Sequence, residues 1–226
     1  DKSSGKTLWK TGRPSEAYAE NEHSYASPVL YRDKQRAYLL THGADYIVAH
    51  DLDDGSELWR CGGLHPPARY DPTLRFVASP LAIPGLIIVP SAKRGVTLAL
   101  RPDGSGNITA NEKFINWSFE ITPDVPSPLV LDDIVYLNRQ NGNLIALDRA
   151  TGKQYYEART HVDRHRASPV YADGKIYLSA RDGTVSVCQP GKEFKLLATN
   201  VMEESLAASP AISGGRIYLR TFDALY

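Results

Sequence analysis

The chain has 226 residues, of which 42% are hydrophobic and 23% charged, values that are ordinary for a globular protein. Lysine and arginine number 26, as do aspartate and glutamate, and no basic run is long enough for nucleic acid as a partner. No apolar stretch approaches the roughly 18–20 residues that span a membrane. These numbers leave one large all-β domain or two small domains, with no membrane span.

Five Ser-Pro pairs recur along the chain, and each opens a short run of strand-forming residues. Their serines are Ser27, Ser79, Ser127, Ser168 and Ser209, which lie 52, 48, 41 and 41 positions apart. A four-stranded propeller blade takes roughly 40–50 residues. The period therefore predicts an all-β fold: a β-propeller of four-stranded antiparallel blades, of which this chain contains about five.

The predicted strands follow the same order in every repeat. The first strand begins at the Ser-Pro pair, at 27–31, 79–83, 127–131, 168–172 and 209–213. The second is almost wholly apolar, as expected between two neighbouring blades, at 37–41, 86–90, 134–138, 175–179 and 216–220. The third follows a glycine-containing turn, at 46–51, 96–102, 143–148 and 184–189, and a fourth is recognisable at 55–59 and 152–156. Few helices are predicted, because no segment has a sustained helical period.

The predicted blades lie within one domain, residues 1–226. They span about 27–61, 79–120, 127–159 and 168–199, and a fifth combines 209–226 with 1–11. Residues 1–9 are predicted to form a fourth strand without its three predecessors. Two interpretations remain open: a segment of a larger ring, or a closed five-bladed ring whose last blade is shared between the two ends of the chain.

A second repeated pattern places Asp, Gly and Trp at intervals of four residues. It occurs in residues 1–9 and 51–59 and, with Tyr in place of Trp, in residues 148–156. Together with the Ser-Pro strands, this pattern resembles the repeats of the pyrroloquinoline-quinone-like (PQQ-like) propeller proteins of bacteria. That family includes quinoprotein dehydrogenases and the scaffold lipoprotein of outer-membrane protein assembly. The resemblance implies a fragment of a seven- or eight-bladed ring, an exported, periplasmic protein, and docking between blades for Trp9, Trp59 and Tyr156.

The resemblance also raises the question of a cofactor. Quinoprotein dehydrogenases are expected to have an adjacent Cys-Cys pair and a calcium site, whereas Cys61 and Cys188 lie in different repeats. We therefore expect no PQQ with calcium, no metal and no disulfide. The predicted function is a non-catalytic binding or assembly scaffold. The alternatives are a quinoprotein-type oxidoreductase and a carbohydrate-active or glycan-binding propeller with a central pocket.

Candidate binding residues lie just before the Ser-Pro pairs, where a propeller chain crosses one face and reaches the mouth of the channel. They are His23, Tyr25, Arg75, Asp124, Arg164, His165, Arg166 and Glu204. The densest segment, 163–166, suits an anionic or saccharide ligand or a protein partner, but its arginines are equally compatible with structural ion pairs to Asp163, Asp124 or Glu204. The proline-rich connection 62–78 is compatible with a cover over the channel, a partner contact or simple packing on a blade. No catalytic residue is predicted.

Overall fold

The computed structural model describes residues 1–65 and 70–226, and nearly all their regular structure is β. The one helix in these two ranges is a 3₁₀ turn over Ala19–Glu22. The chain forms two compact units, residues 1–120 and residues 121–226. In the described part of the chain, no helix combines the length and apolar character needed to cross a membrane.

The first unit contains two sheets. One has β1 (Val29–Arg32), β2 (Ala37–Gly43), β3 (Tyr46–His50) and β4 (Glu57–Cys61) in order. The other has β5 (Leu81–Ile83), β6 (Leu86–Pro90), β7 (Thr97–Leu100) and, after the short strand β8 (Gly106–Asn107), β9 (Ile115–Phe119). Neighbouring strands are antiparallel, except that β8 leaves its own repeat and pairs in parallel with the outer edge of β4.

The second unit contains three antiparallel sheets. The first is β10 (Leu129–Leu131), β11 (Ile134–Asn138), β12 (Asn143–Asp148) and β13 (Gln154–Arg159). The second is β14 (Val170–Ala172), β15 (Lys175–Ser179), β16 (Thr184–Gln189) and β17 (Lys195–Val201). The third consists of β18 (Ala211–Ser213) and β19 (Arg216–Tyr218). The predicted all-β fold of four-stranded antiparallel blades is thus confirmed.

Each Ser-Pro pair lies just before its strand, whereas the sequence predicted it inside the strand. Proline has no N–H to donate to a ladder, so the strand begins at the following residue. The serine has a separate role that the sequence did not indicate. The backbone N–H of Ser27 donates to the hydroxyl of Ser79, and the same 2.9 Å bond joins Ser127 to Ser168 and Ser168 to Ser209. These bonds connect the starts of consecutive blades.

Two outer strands and one end of the chain differ from the prediction. The outer strands β9 and β17 had no sequence signal, because the Asp-Gly-Trp pattern is missing from their repeats. Residues 1–9 form no strand and begin with a turn, in which the Asp1 carboxylate accepts the N–H groups of Ser3 and Ser4. A strand needs a neighbouring ladder, and no described strand pairs with this segment. The joining of residues 1–11 to the last blade stays a prediction.

Each unit has an apolar core between its sheets. Trp59, Leu40 and Ile87 are fully buried in the first unit, and Tyr136 and Leu178 in the second. Side chains from facing sheets interdigitate in this way when strands alternate their two faces. The stacked sheets give a rigid frame for the loops at their ends.

Candidate functional site

The candidate site of the second unit lies where three hairpins and two connections meet. The hairpins between second and third strands cover residues 139–142 and 180–183, and after β19 the chain turns back on itself at the equivalent position, over residues 219–225. Antiparallel strands alternate in direction, so the connections from a fourth strand to the next first strand, 160–169 and 202–210, lie at the same end. We call these five segments the hairpin end.

Backbone hydrogen bonds hold each hairpin to the connections beside it. The N–H of Gln140 donates to the carbonyl of Pro123 (3.2 Å), and the carbonyl of Gln140 accepts the N–H of His165 (2.9 Å). The same two bonds recur 41 residues later. The N–H of Arg181 donates to the carbonyl of Arg164 (2.8 Å), and the carbonyl of Arg181 accepts the N–H of Leu206 (3.1 Å). The hairpin end is therefore fixed by main-chain contacts that do not depend on side-chain identity.

Two glycines allow the connections to approach this closely. Gly142 and Gly183 have φ angles of +87° and +97°. A Cβ on Gly142 would lie 2.0 Å from the carbonyl oxygen of His161, and one on Gly183 would lie 2.4 Å from that of Glu204. The carbonyl of Gly142 also accepts the N–H and the hydroxyl of Thr160 (2.9 and 3.0 Å). Only glycine fits at these two positions.

Arg164 and Arg166 are exposed on the connection that this glycine contact holds. Their guanidinium groups make no ion pair and no hydrogen bond to any described residue. His165, between them, is fully buried, and its Nδ1 lies 3.1 Å from the carbonyl of Asp163. Burial lowers the pKa of His165, which keeps the ring neutral. The structure corrects the prediction for His165, because the alternation of side chains along the connection points it into the protein.

The carboxylates of the hairpin end are occupied by donors other than the guanidinium groups of these arginines. Asp163 accepts the backbone N–H of Arg164 (2.6 Å), and Asp182 contacts Nε2 of His161 (2.7 Å). Half-buried Glu204 accepts the hydroxyls of Thr221 and Tyr226, which lower its pKa. The structural ion pairs considered for Arg164 and Arg166 with Asp163 and Glu204 are therefore absent here.

Asp124 is the remaining predicted residue of the second unit. It is half-buried, has a φ of +77°, and follows Pro123, the acceptor of the Gln140 N–H. The backbone ladder thus brings the start of this connection to the hairpin end as well.

The other three predicted residues belong to the first unit. Arg75 lies over the ring of Tyr25, with its Cζ 5.5 Å from the ring centroid, donates to the tyrosine hydroxyl (3.3 Å) and pairs with Glu20 (3.2 Å). The N–H of Tyr25 donates to the carbonyl of Phe76 (2.9 Å), so the two connections run side by side. His23 is exposed beside them. Arg75 thus has partners within the first unit, whereas Arg164 and Arg166 have none for their guanidinium groups among the described residues.

A polar cluster around Asp45 was missed from the sequence. Asp45 occupies the hairpin between β2 and β3 at a φ of +68°. Its carboxylate accepts Nδ2 of Asn21 (2.5 Å), Nδ1 of His65 (2.8 Å) and the hydroxyl of Tyr70 (3.0 Å). The rings of His65 and Tyr70 are stacked 4.2 Å apart, and Tyr18 stacks on Tyr70 at 5.4 Å. Of the proline-rich connection 62–78, for which a cover, a partner contact and simple packing were left open, residues 66–69 lie outside the described residues.

Trp9, Trp59 and Tyr156 were expected to dock between blades, and each has the following surroundings in the structure. Trp9 donates its indole N–H to the carbonyl of Leu52 (3.0 Å), and its ring lies where a side chain on Gly55 would be. Trp59 is buried, and Tyr156 meets Phe194 of the next sheet edge-on at 5.7 Å. Within residues 1–65 and 70–226, no group of three or more His, Cys, Asp or Glu side chains is arranged to hold a metal ion.

Solved structures share this arrangement of sheets. BamB from Moraxella catarrhalis matches with a TM-score of 0.72 at 17% identity, over 98% of this chain and 62% of that chain. The computationally designed Ika8 protein matches with a TM-score of 0.61 at 13% identity, over 86% of this chain and 55% of that one. A europium-containing methanol dehydrogenase has a TM-score of 0.41 at 17% identity, over 54% and 24%. The chain thus spans less than two thirds of the BamB structure.

The sequence comparisons identify the family. Curated protein sequences give no significant match. The sequence model of the family described as outer membrane protein assembly factor BamB, however, matches residues 1–185, which is most of the chain. This match confirms the resemblance to PQQ-like propellers, and the BamB and Ika8 structures, at their low identities, agree with it in fold. The chain belongs to the family of the outer membrane protein assembly factor BamB.

Proposed function

We propose that this chain is a non-catalytic scaffold that binds a protein partner during outer-membrane protein assembly in the periplasm. Membership of the BamB family supports the process and the compartment. The observation that carries the binding role is the pair of exposed arginines, Arg164 and Arg166, which lie on a rigidly held connection and whose guanidinium groups have no partner among the described residues.

The charge distribution favours an anionic patch on the partner. Arginine is the side chain best suited to paired hydrogen bonds with carboxylates. The neighbouring carboxylates of Asp182 and Glu204 are occupied by other donors, so the two guanidinium groups remain available to a partner. Complementary charge of this kind increases the rate of association and determines the register of a complex.

Rigidity strengthens the same argument. A partner that docks on a preformed surface does not have to order it, which lowers the entropic cost of binding. Gly142 and the backbone bonds at Gln140 order the connection before any partner arrives. By contrast, no contact of the described residues specifically favours a saccharide ligand.

The proposal includes no PQQ, no calcium and no redox chemistry. Cys61 lies in β4 and Cys188 in β16, and both are buried free thiols. Burial raises the pKa of each to about 12, so neither is a thiolate at neutral pH. These two thiols are suited to packing in the core rather than to catalysis.

The test is the double variant Arg164→Ala, Arg166→Ala in the full-length protein. Expressed in place of the wild type, it should lower the amount of folded outer-membrane protein, while its melting temperature is unchanged. Lys153→Ala is the matched control, because Lys153 is an exposed cation at the opposite end of β13 whose ammonium group has no ion pair. Normal assembly with the double variant would show that the arginines are not the binding surface, and an unfolded double variant would show that they are structural.

A further inference from the structure

The hairpin between β11 and β12 contains the single Asn-Gly sequence of the chain, Asn141-Gly142. Glycine has no side chain to shield its backbone nitrogen, so the nitrogen after an Asn can reach the side-chain amide carbon. Asn141 is exposed, and its Oδ1 accepts the N–H of Asn143 at 3.3 Å. The amide is therefore folded back along the chain that follows it.

The next blade shows which product this turn accommodates. Asp182-Gly183 stands 41 residues later in the equivalent hairpin. Asp182 Oδ1 accepts the N–H of Thr184 (3.0 Å), as Asn141 does with Asn143, and Gly183 has a φ of +97° against +87° for Gly142. An aspartate consequently fits this turn without a change of backbone.

We propose that Asn141 is a site of spontaneous deamidation, a modification that changes the charge and shape of the hairpin end. The nitrogen of Gly142 loses its proton and bonds to Cγ of Asn141, the Cγ–Nδ2 bond breaks, and ammonia leaves. Water then opens the succinimide. Attack at Cγ yields aspartate, and attack at the main-chain carbonyl yields isoaspartate. One water is consumed and one ammonia released, with no oxidation or reduction.

The two products have different structural consequences. Aspartate adds a negative charge and keeps the turn. Isoaspartate inserts a methylene into the main chain beside Gly142. The carbonyl of Gly142 accepts hydrogen bonds from Thr160, and a Cβ on Gly142 would already collide with the carbonyl of His161. The isoaspartyl form should therefore release the connection 160–165 from the hairpin.

The first experiment measures the chemistry in the folded protein. The protein is incubated at mildly alkaline pH and digested with trypsin, which cleaves after Arg139 and Arg149 and isolates residues 140–149. Asn143, followed by leucine in the same peptide, is the internal control. We expect fragment masses to show the exchange of NH₂ for OH at Asn141, in aspartyl and isoaspartyl forms, and none at Asn143. An unmodified Asn141, or equal conversion at both positions, would overturn the proposal.

A backbone hydrogen bond of the turn opposes the proposed reaction in the folded protein. The N–H of Gly142 donates to the carbonyl of Arg139 at 3.0 Å, and the nitrogen has to leave that bond in order to react. Conversion that occurs only in denaturant would mean that the folded hairpin protects Asn141, and the proposal would then be wrong.

A second experiment separates the two products. Asn141→Asp reproduces the aspartyl form and should melt at the temperature of the unmodified protein. The isoaspartyl fraction of aged protein should melt lower and recover after treatment with isoaspartyl methyltransferase. Equal melting of all three forms would refute the predicted release of the connection.

Discussion

The two units hold their connections by different means. In the first unit, side-chain contacts add to the backbone bond from Tyr25 to Phe76: Asp45 joins Asn21, His65 and Tyr70, and Arg75 pairs with Glu20. In the second unit, the contacts are mainly backbone bonds, which repeat after 41 residues. Side chains that hold a connection in place cannot also bind a partner. Where backbone bonds hold the connection, its side chains are available for binding. This difference is why the second unit carries the proposed binding surface.

The largest effect should come from breaking the backbone contact of the second unit. Gly142→Ala places a methyl group against the carbonyl of His161 at a positive φ, and we expect the free energy of unfolding to fall by about 4 kcal/mol. Gly174→Ala is the control, because Gly174 also has a positive φ but has no atom within 4 Å of the added Cβ. It should cost about 1–2 kcal/mol. Urea denaturation measures both, and equal losses would mean that the close approach has no energetic importance.

A smaller loss is expected from breaking the side-chain cluster of the first unit. Asp45→Gly removes three accepted hydrogen bonds and leaves the hydroxyl of Tyr70 as the remaining close partner of the buried Asn21 amide, at a cost of about 2–3 kcal/mol. Glycine is chosen because it adopts the φ of +68° without strain.

Asp173→Gly is the matched control for this prediction. Asp173 has a φ of +47° in a hairpin, but within residues 1–65 and 70–226 its carboxylate contacts only the half-buried Lys175. Hydrogen exchange of residues 70–76 should accelerate in Asp45→Gly alone. Unchanged exchange there would show that the connection is held by something other than Asp45.

Local and periodic features of the fold could be predicted from the sequence. The bounds of β11 and β16 coincide with their predicted ranges, because each is a run of strand-forming residues between two turns. The outer strand β17 lacks a comparable sequence signal at its start, and it was not predicted. Its sequence is not a weaker strand former, but nothing local marks where it begins.

The Asp45 cluster and the burial of His165 were not predicted from the sequence, because both depend on contacts between residues that are distant along the chain. Asp45 meets residues 24 positions before it and 20 positions after it, and no spacing rule relates them. The exposure of Arg164 and Arg166 could be expected from their position between blades. The burial of His165 could not, because it depends on the bond from its N–H to Gln140 in the preceding hairpin.

The smallest effect concerns pH and the side-chain contacts of Glu204, which supplement the backbone ladder of the second unit. The hydroxyls of Thr221 and Tyr226 lower the pKa of Glu204 below its ordinary 4.5 in the folded state. A lowered carboxyl pKa contributes stability that is fully present above pH 4.5 and is lost as the pH falls through the folded value.

Glu204→Gln keeps an oxygen acceptor but removes the charge that strengthens these bonds. At neutral pH the variant should unfold at a slightly lower urea concentration than the wild type, and the two midpoints should converge as the pH falls below 4.5. Because the N–H of Phe222 still donates to the carbonyl of Ser205, the hairpin should stay in place in both proteins. A midpoint difference that persists in acid would mean that the side chain acts through shape and not through charge.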